Sequence, residues 1–200
     1  MSSKIPSETA QAQKAADSSA PSTCDLAIET TDIKTVASVN LSAHQQVLVG
    51  SVLDLFSGRP SLKKLQLWTD DATFADPLTK AEGRKQYEAQ WYGLKTAFSE
   101  IERLSYSVTS GGNPISMDLK TRYVVKGIKK EQTIESVVNI HTDAEGKKIS
   151  LVEDKWNGQL PDGAFTNASQ TQVLRNLNSV VVPAFVSVPK NEEEDAKKGN

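Results

Sequence analysis

The hydrophobic period of this chain changes once, near residue 100, and that change limits the folds that the chain can adopt. Before it, the apolar residues of one segment recur at helical spacing and form a single stripe, made of Tyr87, Trp91, Leu94 and Phe98. After it, apolar and polar residues alternate, which is typical of strands. Helices followed by strands with short connections predict an α+β fold, in which three N-terminal helices pack on a mainly antiparallel sheet.

Three helices are predicted before the change of period. The first begins after Ser42, a good N-cap residue, and stops before Pro60. The second begins after Ser61 and is predicted to end near Asp71, where a short extended piece follows. The third covers about 82–98 and carries the aromatic stripe.

Four strands are predicted after it, over 101–109, 115–125, 132–141 and 148–156. The segment 143–146 lies between the last two predicted strands, and its Asp and Gly residues are typical of a hairpin turn. These short connections favour a meander of neighbouring strands.

The polar ends of the chain set the expected domain boundaries. Residues 1–40 contain no aromatic residue and no sustained period, so we expect a disordered N-terminal arm. The domain itself is expected over 41–160 and a C-terminal extension that packs on it over 161–190. The segment 191–200 is a run of charges, for which we expect a disordered, solvated tail.

Composition argues against several classes of function. The net charge is −2 and no basic stripe is present, so nucleic acid is not an expected partner. No apolar run approaches the ~18 residues of a membrane span, and no secretory signal is expected, so we predict an intracellular, cytoplasmic protein. The single cysteine, Cys24, lies in the arm. We find no metal cluster, phosphate-binding loop or nucleophile triad, and we expect no cofactor.

Two aspartates are the candidates for chemistry. Asp76 follows Phe74 and precedes a proline, which leaves two interpretations open. It is either a buried acid whose pKa is raised by apolar neighbours or a turn carboxylate that accepts backbone amides. Strand alternation places Asp154 on the same face as Trp156. Either that face lines a cavity, or Asp154 forms an ion pair with a basic residue (Lys120, Arg122 or Arg84) or lies at the exposed rim.

Four stretches carry a resemblance to a known family: the helix through Phe56, the segment 68–77, the segment 82–84 with the aromatic helix after it, and 143–156. Together they make the chain similar to the NTF2-like superfamily, and within it to the SnoaL-like and ketosteroid-isomerase-like proteins. The resemblance implies a cone, in which a curved sheet wraps around the third helix and leaves a pocket. It also implies a homodimer through the outer face of the sheet.

The resemblance also implies which residues form the site. Asp76 matches the general-base aspartate of the isomerases, and Asp154 is a second carboxylate of the same pocket. The other implied pocket residues are Val52, Phe56, Trp68, Phe74, Tyr87, Trp91, Met117, Leu119, Thr121, Tyr123, Val138, Val152 and Trp156.

This sequence departs from the isomerases at the oxyanion donors. Val52 stands where their tyrosine would be, and Ser136 or Val138 stands where their protonated aspartate would be. The paired pocket histidines of scytalone dehydratases have no match, because the chain contains only His44 and His141.

Three functions follow from these patterns. The first hypothesis is a module that binds a small hydrophobic or aromatic metabolite without transforming it. The second is a cofactor-independent isomerase, cyclase or dehydratase with Asp76 as general base, and Asp154 or Tyr123 as the acid. The third is a protein-interaction module that uses the outer sheet face. The fold alone does not decide between them.

Overall fold

The computed structural model describes residues 20–127, 129–156 and 187–198. Its helices are α1 (Ala43–Phe56), α2 (Leu62–Leu65), α3 (Arg84–Ala97) and α4 (Glu192–Lys198), and its strands are β1 (Trp68–Ala75), β2 (Lys80–Glu82), β3 (Phe98–Gly111), β4 (Ile115–Val125), β5 (Glu131–Thr142) and β6 (Ile149–Trp156).

The strands form one six-stranded sheet in the order β2-β1-β6-β5-β4-β3. All neighbours are antiparallel except β1 and β6, which are parallel, so the sheet is mixed. The pairing of β3 with β4 shifts register three times, at Phe98/Glu100, Arg103/Ser105 and Val108/Ser110. Such bulges bend a strand and increase its twist, which curves the sheet. The predicted α+β class and the four-strand meander β3–β6 are confirmed.

The predicted second helix is wrong beyond its first turn. Ser61 caps it as expected, since its hydroxyl accepts from the Lys64 amide, but the helix ends at Leu65. The chain then becomes extended, because Trp68 pairs with Ile149 of β6 and aromatic residues favour strands. The three predicted N-terminal helices therefore differ greatly in length: α1 and α3 have 14 residues each and α2 has four.

The N-terminal arm is ordered where the structure describes it, which corrects the predicted disorder for residues 20–40. Leu26 and Ile28 are buried against the main core. The backbone of this segment passes so close to α1 that a Cβ at Gly50 would lie 2.3 Å from the carbonyl oxygen of Thr30. These apolar and backbone contacts help to hold a segment whose composition is mainly polar. Residues 1–19 lie outside the described part.

The same arm also covers the edge of the sheet. The Val108 amide of β3 donates to Lys34 (2.9 Å), and the Val36 amide donates back to Val108 (3.0 Å). The Tyr106 hydroxyl donates to the carbonyl oxygen of Asp32 at 2.6 Å. An exposed edge strand invites pairing with other chains, and these bonds satisfy part of the edge of β3.

A buried carboxylate ties the arm to the helices. Asp54 of α1 is completely buried and accepts hydrogen bonds from the amides of Glu29 (2.8 Å) and Thr30 (3.2 Å). It also pairs with Arg59 at 2.6 Å and with the buried Lys64 at 3.3 Å. Burial by itself would raise the pKa of Asp54, but these hydrogen bonds and the Lys64 charge hold it below its ordinary value.

The C-terminal charged segment is a docked helix, so the prediction of a solvated tail over 191–200 is wrong for the residues of α4. Asp195 is buried, and its carboxylate accepts from the Leu62 amide at 2.7 Å and from the Tyr92 hydroxyl. The charged composition predicted a solvated tail because it does not show that Asp195 accepts a hydrogen bond from the free Leu62 amide at the start of α2. Of the predicted C-terminal extension over 161–190, residues 161–186 lie outside the described part, whereas Val188 packs against the larger core cluster.

Replacing Asp195 by Ala is expected to release α4. The change removes the charge-assisted bond to the Leu62 amide and leaves the buried Tyr92 hydroxyl without its acceptor, at a cost of about 1–3 kcal/mol. Hydrogen exchange should show faster exchange of the α4 amides in Asp195→Ala. Glu193→Ala removes an exposed acid of the same helix and should leave that exchange unchanged; equal exchange in the two variants would contradict the docking role of Asp195.

The core consists of two clusters of buried side chains. The larger one joins α1, α3 and the middle of the sheet, and the smaller one contains Ala97, Phe98, Tyr123, Val125 and Trp156. No helix in the described ranges is long and apolar enough to cross a membrane. The junction of the two clusters is where the cavity lies.

Candidate ligand cavity

A cavity of about 50 Å³ lies between the two core clusters. It is lined by Phe56, Phe74, Asp76, Leu78, Thr79, Gln90, Trp91, Leu94, Phe98, Tyr123, Ile134, Asp154 and Trp156. One water needs roughly 10–15 Å³ of such space, so the cavity can hold a few waters or a small molecule. Its wall is mostly apolar, and the two carboxyl groups are its ionisable acids apart from the Tyr123 phenol.

Asp76 combines the two interpretations left open by the sequence. Its Oδ1 accepts from the amides of Leu78 (2.8 Å) and Thr79 (2.6 Å), which is the turn role expected before a proline. The same carboxyl group lines the cavity. Asp76 is therefore a turn residue whose carboxyl group also faces an apolar space.

Asp154 reaches the cavity from β6. The burial pattern of the strand places it on the inner face with Val152 and Trp156, as the alternation predicts. Its Oδ2 accepts from the indole nitrogen of Trp156 at 2.9 Å, whereas its Oδ1 is buried and accepts no hydrogen bond from the described residues. An unpaired buried acceptor is costly unless water or a ligand reaches it.

The three basic residues that were candidate ion-pair partners of Asp154 pair with other acids. Arg84 pairs with Asp70 and Glu88, Lys120 pairs with Glu135, and Arg122 pairs with three glutamates: Glu100, Glu102 and Glu131. The ion-pair interpretation of Asp154 is therefore wrong.

Burial raises the pKa of both cavity acids. For Asp76, burial and the neighbouring Asp154 charge raise the pKa to about 7, although the amides of Leu78 and Thr79 oppose the rise. For Asp154, burial raises the pKa to about 6 against the opposing effects of the Ser136 hydroxyl and the Trp156 indole. Burial, followed by the charges of Asp154 and Asp76, also raises the pKa of Tyr123. Both carboxyl groups therefore gain or lose their protons near neutral pH.

Aromatic rings form the walls around these acids. Trp91 of α3 lies 4.6 Å from Phe74 and 5.2 Å from Phe56, measured between ring centroids. Phe98 and Tyr123 are 4.9 Å apart on the other side. The indole nitrogen of Trp91 is buried without a hydrogen-bond partner among the described residues.

The structure places the predicted pocket residues in two groups. The cavity wall contains Phe56, Phe74, Trp91, Tyr123 and Trp156, together with both aspartates. The others are buried in the core away from this wall: Val52, Trp68, Tyr87, Met117, Leu119, Thr121, Val138 and Val152. Tyr87, for example, packs on Trp68 and donates to the carbonyl oxygen of Thr69.

Sequence reasoning missed six wall residues: Leu78, Thr79, Gln90, Leu94, Phe98 and Ile134. Leu94 and Phe98 belong to the helical stripe, so periodicity marks them as buried without distinguishing wall from core. Leu78 and Thr79 lie in the turn after Asp76, where no period exists. Within the described ranges no group of His, Cys, Asp and Glu is arranged to hold a metal ion.

Comparison of the structure with solved structures finds similar folds, and three of them are as follows. A protein from Shewanella denitrificans described as a SnoaL-like polyketide cyclase is 16% identical, with a TM-score of 0.48 over 56% of this chain and 88% of that one. A protein with a ketosteroid isomerase-like fold from Catenulispora acidiphila, in complex with trimethylamine, is 14% identical, with a TM-score of 0.45 over 54% and 82%. An NTF2-like protein of unknown function from an Exiguobacterium species is 17% identical, with a TM-score of 0.44 over 58% and 99%.

These descriptions name the same kinds of protein that the sequence resembles: NTF2-like, SnoaL-like and ketosteroid-isomerase-like proteins. At such identities the likeness concerns the fold alone. No protein-family model matches the sequence, and a search of curated proteins finds no match.

Proposed function

We propose that this protein binds a small, mainly apolar molecule in the cavity between α3 and the sheet. One observation carries the proposal: the cavity wall is mostly apolar and aromatic, yet two acids, Asp76 and Asp154, line it without a described basic partner. Ligand pockets combine an apolar wall with a few convergent polar groups in this way.

The size of the cavity limits the ligand. About 50 Å³ leaves no room for a polycyclic molecule unless wall side chains move. Core side chains pack to crystal-like density, so such movement costs energy. The ligand we propose therefore has few non-hydrogen atoms, which narrows the hydrophobic or aromatic metabolite expected from the sequence.

Filling the cavity is expected to abolish binding. Ile134 of β5 lines the cavity, and Ile134→Phe would place a ring in space that the ligand needs. A panel of small molecules, neutral and charged, should be screened by ligand-observed NMR against the wild type and the variant. Val36→Phe adds the same ring to a side chain that is 36% exposed and should leave binding unchanged. Unchanged binding to a folded Ile134→Phe would place the ligand elsewhere, and the absence of any ligand would count against the proposal.

A cofactor-independent isomerase, cyclase or dehydratase is the second candidate. It is favoured by the pKa of Asp76, which burial and the Asp154 charge raise to about 7, near the value that suits a general base at neutral pH. Tyr123 lines the same cavity and would be the polarising acid. Turnover of a bound molecule that stops in Asp76→Asn, with the fold intact, would select this candidate over simple binding.

The homodimer through the outer sheet face remains a prediction. That face carries ion pairs, with Arg122 bound to Glu102 at 2.9 Å and Lys120 bound to Glu135 at 2.6 Å. An interface there would be more polar than the apolar interfaces typical of obligate dimers.

A further inference from the structure

The charged groups of the cavity are all of one kind. Asp76, Asp154 and Tyr123 are the titratable side chains that line it in the part of the chain that the structure describes. The lining residues of α3, Gln90 among them, are uncharged, and Ser136 beside Asp154 is neutral. Two carboxyl groups thus share a small apolar space without a described basic partner.

One carboxylate oxygen of the pair is buried without a described hydrogen-bond partner. Both described hydrogen bonds to Asp76 go to its Oδ1, from the turn amides. Asp154 is 6% exposed, its Oδ2 accepts from Trp156, and its Oδ1 has no described partner. A ligand with an N–H donor and a positive charge would satisfy this acceptor and neutralise the carboxylates at the same time.

The walls suit the same kind of ligand. Six aromatic rings surround the cavity: Phe56, Phe74, Trp91, Phe98, Tyr123 and Trp156. The faces of aromatic rings attract cations, and sites for organic ammonium groups are commonly built from several such rings. A neutral apolar ligand would use the rings but would leave the carboxylates without a counter-charge.

We propose that the ligand of this cavity is a small alkylammonium cation, held by the carboxylates of Asp76 and Asp154 inside the aromatic walls. This inference rests on the proposed binding function and specifies its ligand class. The cation binds when the carboxyl groups are ionised, so its arrival displaces the protons that burial keeps on them.

Binding is therefore coupled to proton release. At pH 5 both carboxyl groups are protonated, because burial raises the pKa of Asp154 to about 6 and that of Asp76 to about 7. At pH 8 both are ionised and attract a cation. Tyr123, the third titratable group of the wall, has its pKa raised further and stays neutral throughout this range.

Isothermal titration calorimetry with two probes of nearly the same shape tests the proposal. The probes are tert-butylammonium, which is charged, and tert-butyl alcohol, which is neutral. We expect the ammonium to bind at least about tenfold more tightly at pH 8, and to lose about tenfold or more in affinity at pH 5. Titrations at pH 6.5 in two buffers of different ionisation enthalpy should show net release of protons.

Variants assign the effect to the two carboxyl groups. Asp154→Asn and Asp76→Asn should each weaken the ammonium at least about tenfold at pH 8 and leave the alcohol unaffected. Asp118→Asn removes the same charge from the exposed, opposite face of β4 and should change neither probe. Circular dichroism checks that each variant is folded.

Two results would overturn the proposal in different ways. Equal binding of the alcohol and the ammonium, or an ammonium affinity that is the same at pH 5 and pH 8, refutes the ligand class but leaves the binding function standing. If neither probe binds and the screen described above also finds no ligand, the binding function fails as well.

Discussion

Replacing Asp54 by Ala is expected to lower the free energy of unfolding by about 3–5 kcal/mol, the largest single loss we predict. Asp54 is fully buried, and Lys64 beside it is 3% exposed. Removing the carboxylate leaves the Lys64 ammonium buried without its counter-charge and leaves the amides of Glu29 and Thr30 without their acceptor. Each of these consequences is destabilising by itself.

Urea denaturation at pH 7 measures the effect, and Asp70→Ala is the matched control. Asp70 also forms an arginine ion pair, at 2.7 Å from Arg84, but its carboxylate is 88% exposed, and exposed pairs contribute little. We expect the control to unfold at the wild-type urea concentration. Equal midpoints for Asp54→Ala and the wild type would show that the buried network adds nothing to the fold.

The pH dependence of stability gives a second test of the same network. The pKa of Asp54 is held below its ordinary value of 3.8, so the ionised form stabilises the fold. That contribution is complete above pH 3.8 or so and is lost as the pH falls through the folded-state pKa. Asp54→Ala should therefore lose more stability relative to the wild type at pH 7 than at pH 2.

The burial of Asp54 could not be predicted from the sequence. No motif or period in the sequence of α1 singles out this acid. The structure buries it, because residues 28–30 cover that side of the helix. The composition of the arm concealed this contact, since two buried apolar residues among many polar ones leave no periodic signal.

The strands were predictable because their period and turns agree. The bounds of β4 match the prediction and those of β5 and β6 lie within one residue of it, since alternation and Gly-containing turns point to the same ends. The Trp68 segment was not predictable: its apolar spacing continues the helix, and only pairing with Ile149 of β6 makes it a strand. Long-range pairing of this kind overrides local preference.

The candidate site was predictable in its acids and not in its shape. The resemblance supplied Asp76 and Asp154, and alternation placed Asp154 on the inner face. Neither could separate the wall from the core, because Trp91 and Tyr87 share one helical stripe and only the first lines the cavity. Which residues line the cavity depends on where the two packed core clusters leave space. The spacing of residues along the chain does not show this.

Replacing Asp76 by Asn is expected to stabilise the protein at pH 8, which is unusual for a change at a half-buried turn residue. Burial and the Asp154 charge raise the pKa of Asp76 from 3.8 to about 7. A raised pKa means that the protonated form stabilises the fold: this contribution is complete below about pH 3.8 and is lost as the pH rises through 7. At pH 8 the wild type holds two ionised carboxyl groups in one apolar cavity.

Asparagine imitates the protonated acid at every pH. Its Oδ1 can still accept from the amides of Leu78 and Thr79, so the turn is retained. We expect Asp76→Asn to exceed the wild type by about 2–4 kcal/mol at pH 8, and the difference to shrink toward zero near pH 4. Urea denaturation at the two pH values measures both free energies, with Asp118→Asn, an exposed acid of β4, as the control that should not respond.

The opposite result would decide between the two roles of Asp76. If the turn amides mainly stabilise the ionised carboxylate, Asp76→Asn will be less stable than the wild type at pH 8. The pKa of Asp76 in the wild type then cannot be near 7. A stabilised variant instead means that the natural residue costs stability at neutral pH. A carboxyl pair that lowers stability at neutral pH is explained if a bound cation or a transferred proton offsets that cost. The sign of this one difference therefore separates a turn residue from a residue kept for its chemistry.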